Sequence, residues 1–163
     1  MFDRFLKNNS VYAPVYGEKI EISTVNDKVF SSKMMGDGVA FRHECDIISS
    51  PCSGKIIFLA DTLHAFGVKM YNGAEILVHI GIDTVNLNGQ GFEKLVEVNQ
   101  DVKAGMPIVR LDLDYMKKCK ADLTTMVILT NFNDYKIINE IENNYKCANN
   151  VKVFKTLKVS GGK

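Results

Sequence analysis

The feature that most restricts the fold of this chain is how often its apolar segments are cut short by turn-forming residues. Gly36-Asp-Gly38, Asn72-Gly73, Asn88-Gly-Gln-Gly91 and Ala104-Gly-Met-Pro107 each supply residues that tolerate positive φ or fix it. Between them lie short segments of β character. Glu18-Lys-Ile-Glu-Ile-Ser-Thr24, Val109-Arg-Leu-Asp-Leu-Asp114 and Val151-Lys-Val153 alternate apolar with polar residues. Lys55–Ala60, Glu75–Ile80 and Thr125–Leu129 are apolar runs, the pattern of strands buried on both faces. Two stretches read as helices. Asp114–Ala121 opens on a capping residue and ends in cations, and Asn133–Ile141 has a cap followed by Ile137, Ile138 and Ile141. Many short strands with few helices predict an all-β fold, an antiparallel β-sandwich or barrel.

The chain has 163 residues, enough for one domain with a proper core and too few for two, so residues 1–163 are read as a single domain. Lys plus Arg total 20 and Asp plus Glu 19, and this balance argues against nucleic acid as a partner. No apolar run approaches the ~20 residues that cross a bilayer, and the N-terminus lacks the apolar core of a signal peptide. A cytoplasmic location is expected. Cys45, Cys52, Cys119 and Cys147 form no CxxC pair and are expected to be reduced. Residues 1–11 are expected to be a mobile segment. A turn carrying Phe2, Phe5 and Leu6 could at most touch a membrane surface.

One internal echo stands out. Ala13-Pro-Val-Tyr-Gly-Glu-Lys-Ile20 and Ser50-Pro-Cys-Ser-Gly-Lys-Ile56 share Pro, then Gly three residues on, then a basic residue and Ile. Both read as a Pro-initiated turn that feeds a strand, either a chance likeness or a duplicated β motif.

His43, His64 and His79 are the only histidines. A hairpin turning at Asn72-Gly73 leaves His64 and His79 roughly equidistant from the turn, so their rings should face each other on neighbouring strands, with Thr62, Gly81 and Asp83 nearby. Two adjacent imidazoles can bind a metal with a carboxylate, or one can serve as base to another nucleophile. Alternatively, one can be the nucleophile itself, if its second nitrogen donates to an acceptor that fixes the tautomer. The chain holds no GxxxxGK[ST] cradle for a nucleotide phosphate.

Six segments in register carry a resemblance. Ala13-Pro-Val-Tyr-Gly17, Val29-Phe30, Met35-Gly-Asp-Gly38, His64-Ala-Phe66, Leu77-Val-His-Ile-Gly-Ile-Asp-Thr-Val85 and Gly89-Gln-Gly-Phe92 together resemble the glucose-type enzyme IIA family of the bacterial phosphoenolpyruvate-dependent sugar phosphotransferase system, from about Ala13 to the C-terminus. The resemblance implies a β-sandwich of the duplicated-hybrid-motif type. It implies a phosphoryl carrier that accepts phosphate from phospho-HPr on a histidine and passes it to the cysteine of a sugar-specific enzyme IIB, with no cofactor and no metal. It makes His79 the phosphorylated nucleophile, held through Nδ1 by the backbone carbonyl of Gly81. His64 then steadies the phosphoryl group, and Thr62 orients His64. Asp37 and Asp83 become acidic residues at the edge of the site. Val39, Phe41, Phe66, Leu77 and Val85 become an apolar rim, with Val39, Phe41 and Phe66 partly exposed for docking. The unphosphorylated form would also contact regulated target proteins, and any membrane contact would be peripheral, through the permease.

Arg42-His-Glu-Cys-Asp46 departs from the family pattern. His43 and Cys45 at i, i+2 could place two metal ligands on one strand face, with a solvated loop as the plainer reading. A zinc-peptidase relationship would need an HxH pair, but Leu77 and Gly81 flank His79 at those positions. A non-catalytic interaction module with buried histidines is the remaining alternative. No phosphorylated-cysteine signature of a IIB domain and no membrane-spanning IIC region is present, and the chain reads either as free-standing or as a domain excised from a longer protein.

Overall fold

A computed structural model describes residues 9–148 and 151–159. The strands are β1 (Ser10–Tyr12), β2 (Gly17–Glu21), β3 (Asp37–His43), β4 (Ile47–Ser49), β5 (Gly54–Leu59), β6 (Ala65–Met70) and β7 (Glu75–Ile82). They continue with β8 (Phe92–Lys94), β9 (Asp101–Val102), β10 (Pro107–Leu111), β11 (Asp122–Leu129), β12 (Tyr135–Ile138), β13 (Lys146–Cys147) and β14 (Lys152–Lys158). Two short helices interrupt them, α1 (Lys28–Ser31) and α2 (Leu113–Lys118). An eight-stranded sheet runs β13-β2-β3-β11-β7-β6-β5-β9, and two three-stranded sheets run β1-β14-β12 and β4-β10-β8, with every pairing antiparallel. This is the expected all-β, sandwich-like architecture. Among the described residues no helix is long and apolar enough to cross a membrane.

Alternation along the central strands separates two apolar clusters. Val39, Phe41, Phe66, Val78 and Val127 point to one side of the large sheet and join the main core with Ile48, Ile108, Val109 and Phe154. Ala40, Met126 and Ile128 point to the other side, where Ile22, Val25 and Phe30 of the α1 region cover them. Residues one apart on a strand therefore belong to different cores. Each fully buried Phe or Ile contributes roughly 1.5–3 kcal/mol.

The Pro–Gly echo is a structural duplication. The Tyr12 N–H donates to the Pro51 carbonyl (2.7 Å), and the Ser49 N–H donates to the Pro14 carbonyl (2.9 Å), so each turn clasps the other through matching positions. Ala13 and Ser50, also matched, donate to Val151 (2.7 Å) and Met106 (2.8 Å). Deeper in, Lys19 exchanges bonds with Tyr145 (2.8 Å) and Asn144 (2.6 Å) as Ile56 does with Gln100 (2.9 Å) and Asn99 (2.7 Å). Asn144 and Asn99 both have positive φ, 61° and 73°. The echoed glycines are required by close approach. A Cβ on Gly17 or Gly54 would lie 2.3 Å from the Arg42 carbonyl oxygen or 2.1 Å from that of Lys69.

Several expectations need correction. The helix expected at Asn133–Ile141 is the strand β12, paired to β14. Tertiary pairing outweighs the local cap here: the buried Tyr135 ties its hydroxyl to the Asn72 carbonyl (2.5 Å), and Asn139 turns the chain with φ 54°. The strand expected to reach Thr24 stops at Glu21, because Ile22–Thr24 coil into a 3-10 turn whose Thr24 hydroxyl donates to the Glu21 carbonyl (2.6 Å). Asp112 rather than Asp114 caps α2, through the Tyr115 N–H. The Lys55–Ala60 run is not buried on both faces, since the register slips between Ile56 and Phe58 and leaves Ile57 and Phe58 exposed. The segment expected to be mobile up to residue 11 is ordered at its end, where Ser10 and Val11 lie buried in β1. The turn at Phe2, Phe5 and Leu6 lies outside the described residues.

The duplication isolates one anomaly. Lys19 is fully buried where its counterpart Ile56 is fully buried, and its Nζ donates to Asn143 Oδ1 (2.6 Å). Burial raises the pKa of the Glu140 carboxyl, and the Lys19 charge partly opposes that rise. An apolar side chain suits the site as well as an ammonium with these two partners does, whereas an abandoned ammonium would be costly. Lys19→Met should leave urea stability unchanged or raise it by about 1 kcal/mol. Asn143→Ala should lower it by about 2 kcal/mol. A Lys19→Met protein weaker than Asn143→Ala would contradict this account.

Candidate functional site

The two histidines meet because β6 and β7 pair as a hairpin closed by Asn72-Gly73. The Gly73 N–H donates to the Met70 carbonyl (2.9 Å), and Asn72 Oδ1 accepts from the Ala74 N–H (3.0 Å). Ala65 falls opposite His79, and the Ile80 N–H donates to the His64 carbonyl (2.6 Å). The imidazole centroids lie 5.0 Å apart at 77°, edge to face. The rings face each other as expected, although His64 lies in the bend just before β6 rather than on a strand.

Each ring is fixed through Nδ1. In His79 it lies 2.9 Å from the Gly81 carbonyl oxygen, which can only accept, so the proton sits on Nδ1 and the Nε2 lone pair is free. In His64 it lies 2.5 Å from Thr62 Oγ1. With the Thr62 hydroxyl donating, the His64 proton sits on Nε2, ready to be given to an anion. In that tautomer the rings present one electron pair and one donor. Gly81 reaches back to His79 because its φ is 83°, a conformation open to glycine at little cost.

Both imidazoles are biased to the neutral form. Burial pushes the pKa of His79 below its ordinary value, and the neighbouring His64 pushes the same way. The Gly81 carbonyl, Asp27 and Asp83 pull it partly back. Burial lowers His64 as well. Phe30 of α1 adds to the dry environment, its ring centroid 4.6 Å from that of His79.

Asp83 is exposed immediately after β7, and its charge is felt at His79. Asp37 is exposed at the start of β3, where it pairs with Lys33 (3.4 Å) and accepts from the Gly38 N–H (2.8 Å). The second carboxylate felt at His79 is instead Asp27, the N-cap of α1. Sequence reasoning missed Asp27 and gave Phe30 no place at the site, quoting it only within the matching segment Val29-Phe30; the cap-like Asn26-Asp27 ahead of Lys28-Val-Phe30 was the available signal.

The apolar rim needs a larger correction. Val39, Phe41 and Phe66 are all fully buried. They occupy the inward positions of β3 and β6, and a rim residue has to come from the alternate positions that share the face of His79. Leu77 meets that condition and is partly buried against the outer cluster, and Val85 is 45% exposed. The other exposed apolar side chains on elements around the site are Val29, Met34, Met35, Ile57 and Phe58. Phe58 pairs with Gly67, which in turn faces Leu77.

His43 and Cys45 do not form half of a metal site. His43 Nδ1 accepts from the Cys45 N–H (3.0 Å), and Nε2 lies 2.8 Å from Thr125 Oγ1, which donates to the Leu123 carbonyl (2.9 Å). Both ring nitrogens are used, so the ring is structural rather than part of a solvated loop. Among the described residues no group of three or more His, Cys, Asp or Glu could hold a metal ion.

Comparison with known proteins adds to this geometry. The family described as phosphoenolpyruvate-dependent sugar phosphotransferase system, EIIA 1, matches residues 9–135. A glucose-specific EIIA component of Buchnera aphidicola subsp. Baizongia pistaciae is 40% identical over 148 residues, covering 85% of this chain and 88% of that protein. A glucoside-specific EIICBA component of Staphylococcus carnosus is 44% identical over 121 residues, 74% of this chain, and the match spans only 18% of that longer relative. The glucose permease IIA from Mycoplasma capricolum superimposes with a TM-score of 0.79 at 37% identity, over 90% of this chain and 96% of its own.

Two pH dependences follow. Burial lowers the pKa of His43 from 6.5 to about 4. Above 6.5 the ring is neutral in both folded and unfolded chains; as pH falls further, the unfolded chain binds the proton first. Stability should therefore drop by up to about 3 kcal/mol between pH 6.5 and 4 and then level off. Urea melts should show His43→Gln losing less over that interval than the unaltered protein; an equal loss would exclude His43 as its source. At the site, His64→Gln removes a neighbouring positive charge, so the pKa of His79, followed by NMR, should rise. A fall would mean that His64 does not oppose its protonation.

Proposed function

The chain belongs to the EIIA 1 family of the phosphoenolpyruvate-dependent sugar phosphotransferase system, and from that premise we propose that it is a phosphoryl carrier working through His79. The observation that carries this reading is the fixed tautomer: Nδ1 of His79 is tied to Gly81, and Nε2 is left as a lone pair beside a second imidazole. In uptake, Nε2 forms a bond to the phosphorus of phospho-HPr, and the donor's bond to phosphorus breaks with its electron pair staying on the donor. In delivery, a cysteine sulfur of a sugar-specific enzyme IIB attacks the phosphorus, and the electron pair returns to Nε2. Atoms and charge balance in both steps without metal or nucleotide.

The remaining residues serve these steps. His64 gives its Nε2–H to the phosphoryl oxygens, where charge spreads in a loose transition state. Thr62 holds that donor in place. Asp27, Asp83 and Asp37 favour basic groups on the partners, and Val29, Met34, Met35, Phe58, Leu77 and Val85 give them an apolar surface. A carrier has to release both partners, which favours a small patch of this kind. The phosphoryl group adds roughly −1.5 to −2 charge beside Asp27 and Asp83, enough to turn away regulated targets that dock on the unphosphorylated face. We place the chain in the cytoplasm as one EIIA domain over residues 1–163, meeting the membrane only through its permease.

Incubation with phosphoenolpyruvate, enzyme I and HPr should load one acid-labile phosphate, and His79→Ala should take none while keeping its fold, as read by mass spectrometry and circular dichroism. His64→Gln should still load, but transfer to IIB should slow by ~10²–10³-fold. Thr62→Ala should slow it less. Equal slowing of loading and delivery by His64→Gln would refute this division of roles.

A further inference from the structure

His79 has a reach-back partner in Gly81, but something must aim the Gly81 carbonyl. Beyond Ile80 the chain turns through two left-handed residues, Gly81 at φ 83° and Asp83 at 56°. The second is not a glycine, so this turn costs about 1 kcal/mol and has to be held from outside. The Asp83 side chain makes no capping bond to the 3-10 turn Thr84–Leu87 that follows.

Thr84 holds it. Its side chain is buried, 1% exposed, and its hydroxyl donates to the carbonyl of Ile80, the peptide unit that leads into Gly81. Its methyl fills the place a side chain would take on Gly81: a Cβ there would sit 2.4 Å from Thr84 Cγ2 and 2.7 Å from the Asp122 carbonyl oxygen. The N–H of the same Ile80 is fixed to the His64 carbonyl (2.6 Å). With the incoming peptide bonded and the Gly81 Cα boxed in on two sides, the outgoing carbonyl has one direction left, toward Nδ1 of His79. We infer that Thr84 is the positioning residue of the nucleophile, the counterpart for His79 of what Thr62 is for His64. One hydroxyl touches its imidazole directly, and the other acts through the Gly81 carbonyl.

Two substitutions separate the hydroxyl from the methyl. Thr84→Val keeps the shape and leaves the Ile80 oxygen without a partner; Thr84→Ser keeps the bond and loses the methyl. Ring ¹⁵N spectra of His79 should show the proton on Nδ1 in the unaltered protein and in Thr84→Ser. In Thr84→Val they should show a mixture of tautomers. This readout needs no phosphate, so it stands apart from the carrier reading. On that reading, loading from phospho-HPr should also slow about 10- to 100-fold in Thr84→Val, the size of loss seen when the outer partner of a metal-ligating histidine is removed, and should return in Thr84→Ser. Failure of the unaltered protein to load would sink the carrier reading, while the spectra still decide the role of Thr84. An unchanged tautomer in Thr84→Val, or a Thr84→Ser protein that behaves like it, would overturn the inference. Should Thr84→Val not fold, the unaltered protein supplies the test: its Thr84 hydroxyl proton should exchange slowly and couple to the Ile80 carbonyl carbon. Absence of that signal would overturn it equally.

Discussion

Everything at the site depends on one register, Ala65 opposite His79 in the β6–β7 pair. Slip that pairing by one residue and His79 would face the main core, where a ring with an unused nitrogen has no place. The register is held from both sides. The Asn72-Gly73 turn sets it at one end, and on the far side β11 sets Met126 against His79 and Ile128 against Leu77. The outer cluster built on Met126, Ile128 and Ala40 then brings Phe30 over the imidazole. On the proposed reading, the reactive nitrogen is thereby mounted on a rigid sheet rather than on a loop, and little has to reorganise when a phosphoryl group arrives.

What a reader of the sequence can recover follows from range. The hairpin was legible because its turn chemistry, its two apolar strands and its paired histidines lie within a short stretch. The duplication was legible as well, because Pro and Gly mark backbone needs that survive when other residues change. The rim was not. Choosing Val39, Phe41 and Phe66 placed residues on the right strands but at the inward positions, and a family likeness alone does not say which face of a pleat is wet. β12 was unreadable for a different reason: Tyr135–Ile138 is a strand only because β14 lies beside it. Asp27 escaped notice, and Phe30 stood only as part of a matching segment with no place at the site, because a four-residue helix has too little periodicity to announce itself.

The two threonines show how little chemistry separates the roles of the two imidazoles. One hydroxyl lies against Nδ1 of His64 and the other against the carbonyl one peptide unit before the Gly81 carbonyl that meets Nδ1 of His79. On the proposed reading, this small difference in wiring lets one ring offer a proton and the other an electron pair. His43 makes the contrast complete, since with both nitrogens engaged it is held as firmly and offers neither.

The strands at the two ends of the described chain are neighbours: β1 pairs antiparallel with β14, and the Thr156 N–H donates to the Asn9 carbonyl (2.8 Å). Incoming and outgoing chain therefore share one edge of the molecule, and closing the fold demands no slack from anything attached to it. A unit with that property can be joined to another protein through either end. It is a portable part, and the architecture itself explains how a segment of this kind can make up 18% of a relative as long as the Staphylococcus carnosus EIICBA component while also matching proteins of its own size.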